Sequence, residues 1–189
     1  MRASVEAAVG VLRQLDVSEG ETLLILGAGG SVGTVATQLA IRQGLKVIGA
    51  VGARDEVLTR ELGATPVVYG SDLLSNVRGV TDRVDATFDA AGKGGLQDAI
   101  TLSGGSERVI TLADERAAEL GVRLSVPTPD RAADGVEIGM QLLASGELRL
   151  RPQRSLPMPA AAEAHRLLEE GRVHEKLLLT TSVPGSAEC

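Results

Sequence analysis

Glycines 27, 29, 30 and 33 stand directly after a short apolar run, Leu23–Leu26. They stand directly before a segment in which Val32, Val35, Ala36, Leu39 and Ala40 recur at the spacing of a helix with one buried face. Glycine lets the chain reverse sharply and lets backbone N–H groups come close to a ligand. The start of the following helix adds unpaired donors and the positive end of its dipole, so the combination is chemically a seat for a phosphate group. The spacing is Gly27-x-x-Gly30-x-x-Gly33, and the tighter G-x-G-x-x-G form is broken by Val32. A second apolar strand follows at Lys46–Val51. In that context Gly27, Gly30, Ser31, Val32 and Gly33 are expected to hold the pyrophosphate of a dinucleotide. The same residues also suit a tight strand-to-helix turn that binds nothing.

The end of the second strand is where such a site chooses its cofactor. An acidic residue there binds both ribose hydroxyls of NAD. The matching position is Val51, followed by Gly52 and Ala53, so no carboxylate is expected in that role. Arg54 comes next, and a guanidinium can grip a 2′-phosphate. NADPH is therefore expected over NADH, although Arg54 would equally suit a solvated first helical turn. Asp85 and Asp89 lie four residues apart on one strand. Asp85 is read as leading that strand and Asp89 as capping the turn after it, rather than as a catalytic pair. His165 sits on an alanine-rich helix and His174 in a loop, and Cys189 is the single cysteine. No metal is expected from so sparse a set, and no intrachain disulfide can form.

These residues need a scaffold, and the pattern supplies one. Strand-like and helix-like segments alternate from Thr22 to Val126, which predicts an α/β fold. The expected form is a Rossmann-type doubly wound, six-stranded parallel sheet in three layers, with its sixth strand at Val122–Val126. A leading helix is expected over Ser4–Leu15, a short helix over Ala113–Leu120 and a longer one over Pro129–Ser145. An extended segment, Glu147–Met158, a helix, Ala160–Glu170, and a final strand, Lys176–Thr181, complete the reading. The expected organisation is a nucleotide-binding domain at 1–146, a strand–helix–strand segment at 147–181 and a disordered tail at 182–189. Length (189 residues) and 43% apolar composition suit one ordinary domain with a real core. With one Phe, one Tyr and no Trp, that core must be aliphatic, and no stacking platform for nucleic acid exists. A net charge of −6 argues the same way. No apolar run is long enough to span a membrane, and no signal-peptide pattern is present, so the expected location is cytoplasmic.

Three stretches in this order, GETLLILGAGGSVGTVATQLA, VIGAVGARDEVLTRELGA and VDATFDAAG, resemble the cofactor-binding half of the medium-chain dehydrogenase/reductase superfamily. The zinc-independent, quinone-oxidoreductase-like branch is the nearest, and ELRLRP…LPMPAAAEAHRLLEEGRVHEKLLLT is similar to that branch's ending. The resemblance implies NADPH-dependent hydride transfer to a quinone, an enone or another carbonyl-conjugated small molecule. It implies backbone contacts to nicotinamide and its ribose at Ala91, Gly92, Leu112 and Ala113. It also implies a contact from Tyr69 to the NADPH phosphate region, unless Tyr69 merely fills a gap in an aliphatic sheet. Some members use a lysine just after the arginine position; here that position is Glu56.

Members of the superfamily carry an N-terminal barrel-like domain with most substrate contacts, and that domain is missing from this sequence. The chain is then a fragment, a half of a split enzyme with the barrel domain supplied in trans, or a reduced architecture. A reductase and a non-catalytic nucleotide-binding module are the competing readings. A short-chain reductase is excluded, because Tyr69 is followed four residues on by Leu73 where lysine would be needed. A methyltransferase would want an acidic end to the second strand. The resemblance further implies a homodimer, paired through the edge strand at 122–126.

Overall fold

The computed structural model describes residues 2–128, 131–173 and 175–181. Pro129, Asp130, His174 and the tail at 182–189, on all of which expectations fell, lie outside the described residues. The chain divides into two compact units, residues 1–150 and 151–189.

The first unit is built on a parallel sheet of six strands: β1 (Thr22–Leu26), β2 (Lys46–Val51), β3 (Thr65–Val68), β4 (Ala86–Asp89), β5 (Val109–Thr111) and β6 (Arg123–Leu124). Their order is β3-β2-β1-β4-β5-β6, and every neighbouring pair runs parallel. The helices are α1 (Arg2–Leu15), α2 (Ser31–Arg42), α3 (Glu56–Glu61), α4 (Leu73–Arg78), α5 (Leu96–Ser103) and α6 (Gly135–Ala144). The run Leu23–Leu26 shows why the sheet sits where it does. All four residues are fully buried, as a central parallel strand covered on both faces requires. Leu23 and Ile25 face a core shared with Val5, Ala8, Leu12, Val35, Leu39 and Leu142 of α1, α2 and α6. Leu24 and Leu26 face the opposite core, with Leu73, Val77, Leu96 and Ala99 of α4 and α5. A Leu or Ile buried this way contributes about 1.5–3 kcal/mol by removal from water, so β1 is a principal stabilising element of the unit.

Four local expectations need correction. The helix expected over Ala113–Leu120 is a run of separate turns. Thr111 Oγ1 takes the amides of Ala113 and Asp114, and the bonds Ala117 N to Asp114 O and Gly121 N to Ala118 O close single turns. A stretch this short, with its first amides already bonded to a side chain, does not recover the cost of helix nucleation. The sixth strand is narrower than Val122–Val126, because the Val122 amide is spent on Ala117 O. The helix before Ser145 begins at Gly135. Residues 147 and 148 do not start an extended segment, since both amides turn back to Leu142 O and Leu148 is buried in the first core.

The second unit is small. Within it β7 (Gln153–Pro157) and β8 (Lys176–Thr180) form a parallel pair joined through α7 (Ala161–Glu169), whose Ala164 and Leu167 are buried.

Candidate functional site

The site forms where β1, β4 and β5 end. The Gly27 and Ala28 amides donate to Ala50 O of β2 at 2.9 and 3.3 Å, so the turn leaves the sheet under control of its neighbour. Gly27 has φ +79°, a conformation in which a side chain is strained. Gly30 closes the turn with its amide on Gly27 O at 2.9 Å and accepts the Thr34 amide at 2.9 Å. Gly30 is thus the N-cap of α2 and supplies no side-chain cap. The amides of Ser31, Val32 and Gly33 therefore open a helix of 12 residues without an intrahelical acceptor, by the geometry of any helix start. Gly33 has a packing reason as well: a Cβ there would run into Gly27 O and lie 2.6 Å from Ala28 Cα.

The adjoining loops press against this turn. A Cβ on Gly27 would lie 2.9 Å from Ala91 Cβ, and one on Gly92 would lie 2.8 Å from Ala113 Cβ. Gly27, Ala91, Gly92 and Ala113 are thus brought into one continuous rim of backbone. Asp89 fixes that rim. Its carboxylate is fully buried, with Oδ1 accepting the amides of Ala91 and Gly92, each at 3.0 Å, and Oδ2 accepting Thr111 Oγ1–H at 2.7 Å. The Thr111 oxygen in turn accepts the Ala113 and Asp114 amides at 3.2 and 3.1 Å. The Leu112 amide reaches Asp89 O at 3.0 Å. Asp89 caps its turn as the sequence indicates, and Asp85 Oδ2 takes the Thr22 amide at 2.9 Å at the other end of the strands. The two carboxylates do not form a catalytic pair.

The remaining candidates stand apart. Arg54 is exposed in the short 3-10 turn Ala53–Asp55 that follows β2. The Tyr69 amide extends β3 by donating to Val51 O. Its ring packs on the second core and its hydroxyl lies beside Gly95, 3.1 Å from where a Cβ would stand. Burial raises the Tyr69 pKa above that of a free phenol, and Asp89, Asp114 and Asp98 add to the effect. The phenol is thus directed into the fold. His165 is half of the histidine content and stands on α7 in the second unit, away from any cluster.

Two residues escaped the sequence reading. Thr111 carries a signal that could have revealed it, a hydroxyl two and three residues ahead of amides it can accept. Asp55 had none beyond its place after β2; the direction of the 3-10 turn puts its side chain against Gly29.

Fold and rim together define a Rossmann-type α/β domain with its open backbone donors at the carboxyl ends of the strands. The chain belongs to the zinc-binding dehydrogenase family, whose model matches residues 62–179, and so to the cofactor-binding part of the medium-chain dehydrogenase/reductase superfamily. It is 25% identical over 196 residues to alcohol dehydrogenase 1 of Emericella nidulans, covering 89% of this chain and 53% of that protein. The chain thus spans about half the length of that curated relative. Among solved structures it is similar to the quinone oxidoreductase from Coxiella burnetii, with TM-score 0.78 and 24% identity, over 95% of this chain and 57% of the other. It is also similar to CurA from Vibrio vulnificus in complex with NADPH, with TM-score 0.74 and 19% identity, over 97% and 63%.

The family's description invokes zinc. Among the described residues no group of three or more His, Cys, Asp or Glu side chains is placed to hold a metal ion. Among the described residues no helix is long and apolar enough to cross a membrane.

Proposed function

We propose that this chain binds a nicotinamide dinucleotide across the carboxyl ends of β1, β4 and β5 and serves an oxidoreductase of the zinc-independent, quinone-oxidoreductase-like type. The single observation that carries the reading is the continuous backbone rim Gly27–Ala91 and Gly92–Ala113, set beside the uncapped start of α2. A doubly wound sheet takes its ligand at this reversal of strand order, here between β1 and β4. The amides of Ser31, Val32 and Gly33 hold the pyrophosphate, and the 91–92 and 112–113 loops orient the nicotinamide ring. The bound cofactor supplies the hydride, and the protein's task is to position and shield it.

Arg54 and the NADPH-bound CurA structure favour NADPH over NADH, and the quinone oxidoreductase likeness favours a quinone or conjugated enone as acceptor. Because the chain spans about half of its relatives, substrate contacts come from a barrel domain, attached or in trans. Pairing of two copies through β6 is part of the same reading. Leu124 and Val126 at that edge are 47% and 54% exposed and would be covered by a second copy. Titration with NADPH and NADH, followed by NADPH oxidation with a panel of quinones and enones, tests the proposal. Binding with turnover that rises on adding the barrel domain supports it. Absence of binding to either cofactor refutes it.

A further inference from the structure

Arginine is seldom buried, and Arg131 is: its side chain is 5% exposed. A guanidinium brings five N–H donors that need acceptors. Nη2 has Glu6 Oε1 at 3.1 Å, while Nη1 makes only long contacts, 3.3 Å to Ser125 O and 3.4 Å to Ser125 Oγ. Nε has no partner among the described residues. The fold makes room for this group at the expense of α1. Gly10 stands inside that helix, where glycine is an unfavourable residue. A Cβ there would lie 2.6, 2.9 and 3.0 Å from Cγ, Cδ and Nε of Arg131. Gly10 is thus what admits the arginine against the helix.

Arg131 forms part of the wall of an open cavity of about 330 Å³, lined also by Gly10, Arg13, Gln14, Ser125 and Thr128. That volume is at the lower end of the range for small-molecule sites. Ser125 is buried, and its Oγ accepts both from Gln14 Nε2 at 3.1 Å and from Arg131. Its O–H is left to donate. Strand alternation sets this facing, since Arg123 and Ser125, two residues apart, both reach Gln14 of α1.

Charge decides what such a cavity takes. Among the described residues, Arg13 is paired with Asp134 through bonds of 2.7 and 2.8 Å, and Arg131 with Glu6. Arg123 has only a neutral acceptor, Gln14 O at 3.2 Å. One positive charge is in surplus here, in a chain whose net charge is −6. A carboxylate matches that surplus, and its two oxygens suit a guanidinium edge and a hydroxyl donor. A phosphate, at about −1.5 to −2, exceeds it. We infer that the cavity between α1 and the residues after β6 is a binding site for a small monocarboxylic acid, held by Arg131 and Ser125 and attracted by Arg123. None of these residues belongs to the glycine turn or its rim, so the site stands apart from the proposed dinucleotide site.

The test is a titration of the full chain, by calorimetry and NMR, with benzoate, with its neutral isostere benzamide and with inorganic phosphate. Benzoate is expected to bind at least about tenfold more tightly than either. The largest amide shifts are expected at Gly10, Gln14, Ser125 and Thr128. Ser125→Ala and Arg123→Gln should each weaken benzoate about three- to tenfold, with circular dichroism unchanged. Arg131→Lys keeps the charge and loses the fork, and should weaken it further. If Arg131→Lys does not fold, the other two variants decide. Benzoate no tighter than benzamide or phosphate overturns the assignment. So do shifts centred on Ser31–Gly33, or an affinity unchanged within about twofold in both Ser125→Ala and Arg123→Gln.

Discussion

The two ends of the parallel sheet are built by opposite means. At the amino ends, side-chain charges do the joining. Arg108 holds Glu21 through contacts of 2.6 and 2.9 Å and also reaches the Leu15 and Asp16 carbonyls, while Arg83 pairs with Asp85 at 2.5 Å. At the carboxyl ends, joining is done by backbone, by glycine contacts and by one buried carboxylate, Asp89. The first arrangement ties β1, β4 and β5 together. The second spends Asp89 and Thr111 on fixing loops, and leaves the start of α2 without a side-chain cap. The difference separates an end that holds the fold from an end able to receive an anion.

Removing Asp89 should break this contrast most severely. Asp89→Ala orphans the buried Thr111 hydroxyl, at about 1–3 kcal/mol, and the part-buried Ala91 and Gly92 amides, at less. A lower denaturant midpoint together with lost cofactor affinity is the expected result in equilibrium unfolding and titration; Asp89→Asn should be milder, since one oxygen remains to accept. Next comes Gly33→Ala. The added methyl drives α2 away from Gly27 O, and overpacking of this kind costs about 1–3 kcal/mol. Dinucleotide affinity should fall by more than stability does, because the displaced amides are those proposed to face the ligand.

Arg54→Ala is read out at the ligand. A charge-assisted contact to the 2′-phosphate is worth about 1.5–3 kcal/mol, so the preference for NADPH should fall about ten- to a hundredfold in cofactor titration. The smallest effect is at the amino end. Hydrogen bonds from Arg108, then from the Ser18 amide, hold the Glu21 carboxyl down at about 2 from its ordinary 4.5. A depressed carboxyl stabilises the fold fully above its unfolded pKa, and that contribution disappears as pH falls from about 4.5 toward 2. The pair is partly solvated, so Glu21→Gln should cost about 1 kcal/mol or less at neutral pH. Denaturant unfolding of this variant should show a flatter pH dependence between pH 5 and 2, about those limits, and unchanged cofactor binding.

How much of this was legible follows the same division. The parallel sheet from Thr22 onward was readable because Leu23–Leu26 and Lys46–Val51 are short apolar runs punctuated by glycine. The glycine turn was readable because close approach leaves a residue type as its mark. Asp89 as a turn cap was readable from its place at a strand end. Thr111 was not, because its bonds join β4 to β5 across 22 residues of sequence. Asp55 was not, because the facing of a 3-10 turn is decided by Thr59 packing under β2, a tertiary contact. The short helix expected after Leu112 failed for a local reason: Thr111 Oγ1 already accepts the Ala113 and Asp114 amides that would begin it.

The central claim is that the dinucleotide lies at the carboxyl end of the sheet. Amide chemical shifts and hydrogen exchange, followed by NMR during titration with NADPH, test it most directly. The account predicts the largest changes at Gly30, Ser31, Val32 and Gly33, then at Ala91, Gly92, Leu112 and Ala113, with Ser18, Glu21 and Arg108 undisturbed. Changes centred on the amino end, or no change at millimolar NADPH and NADH, would contradict it.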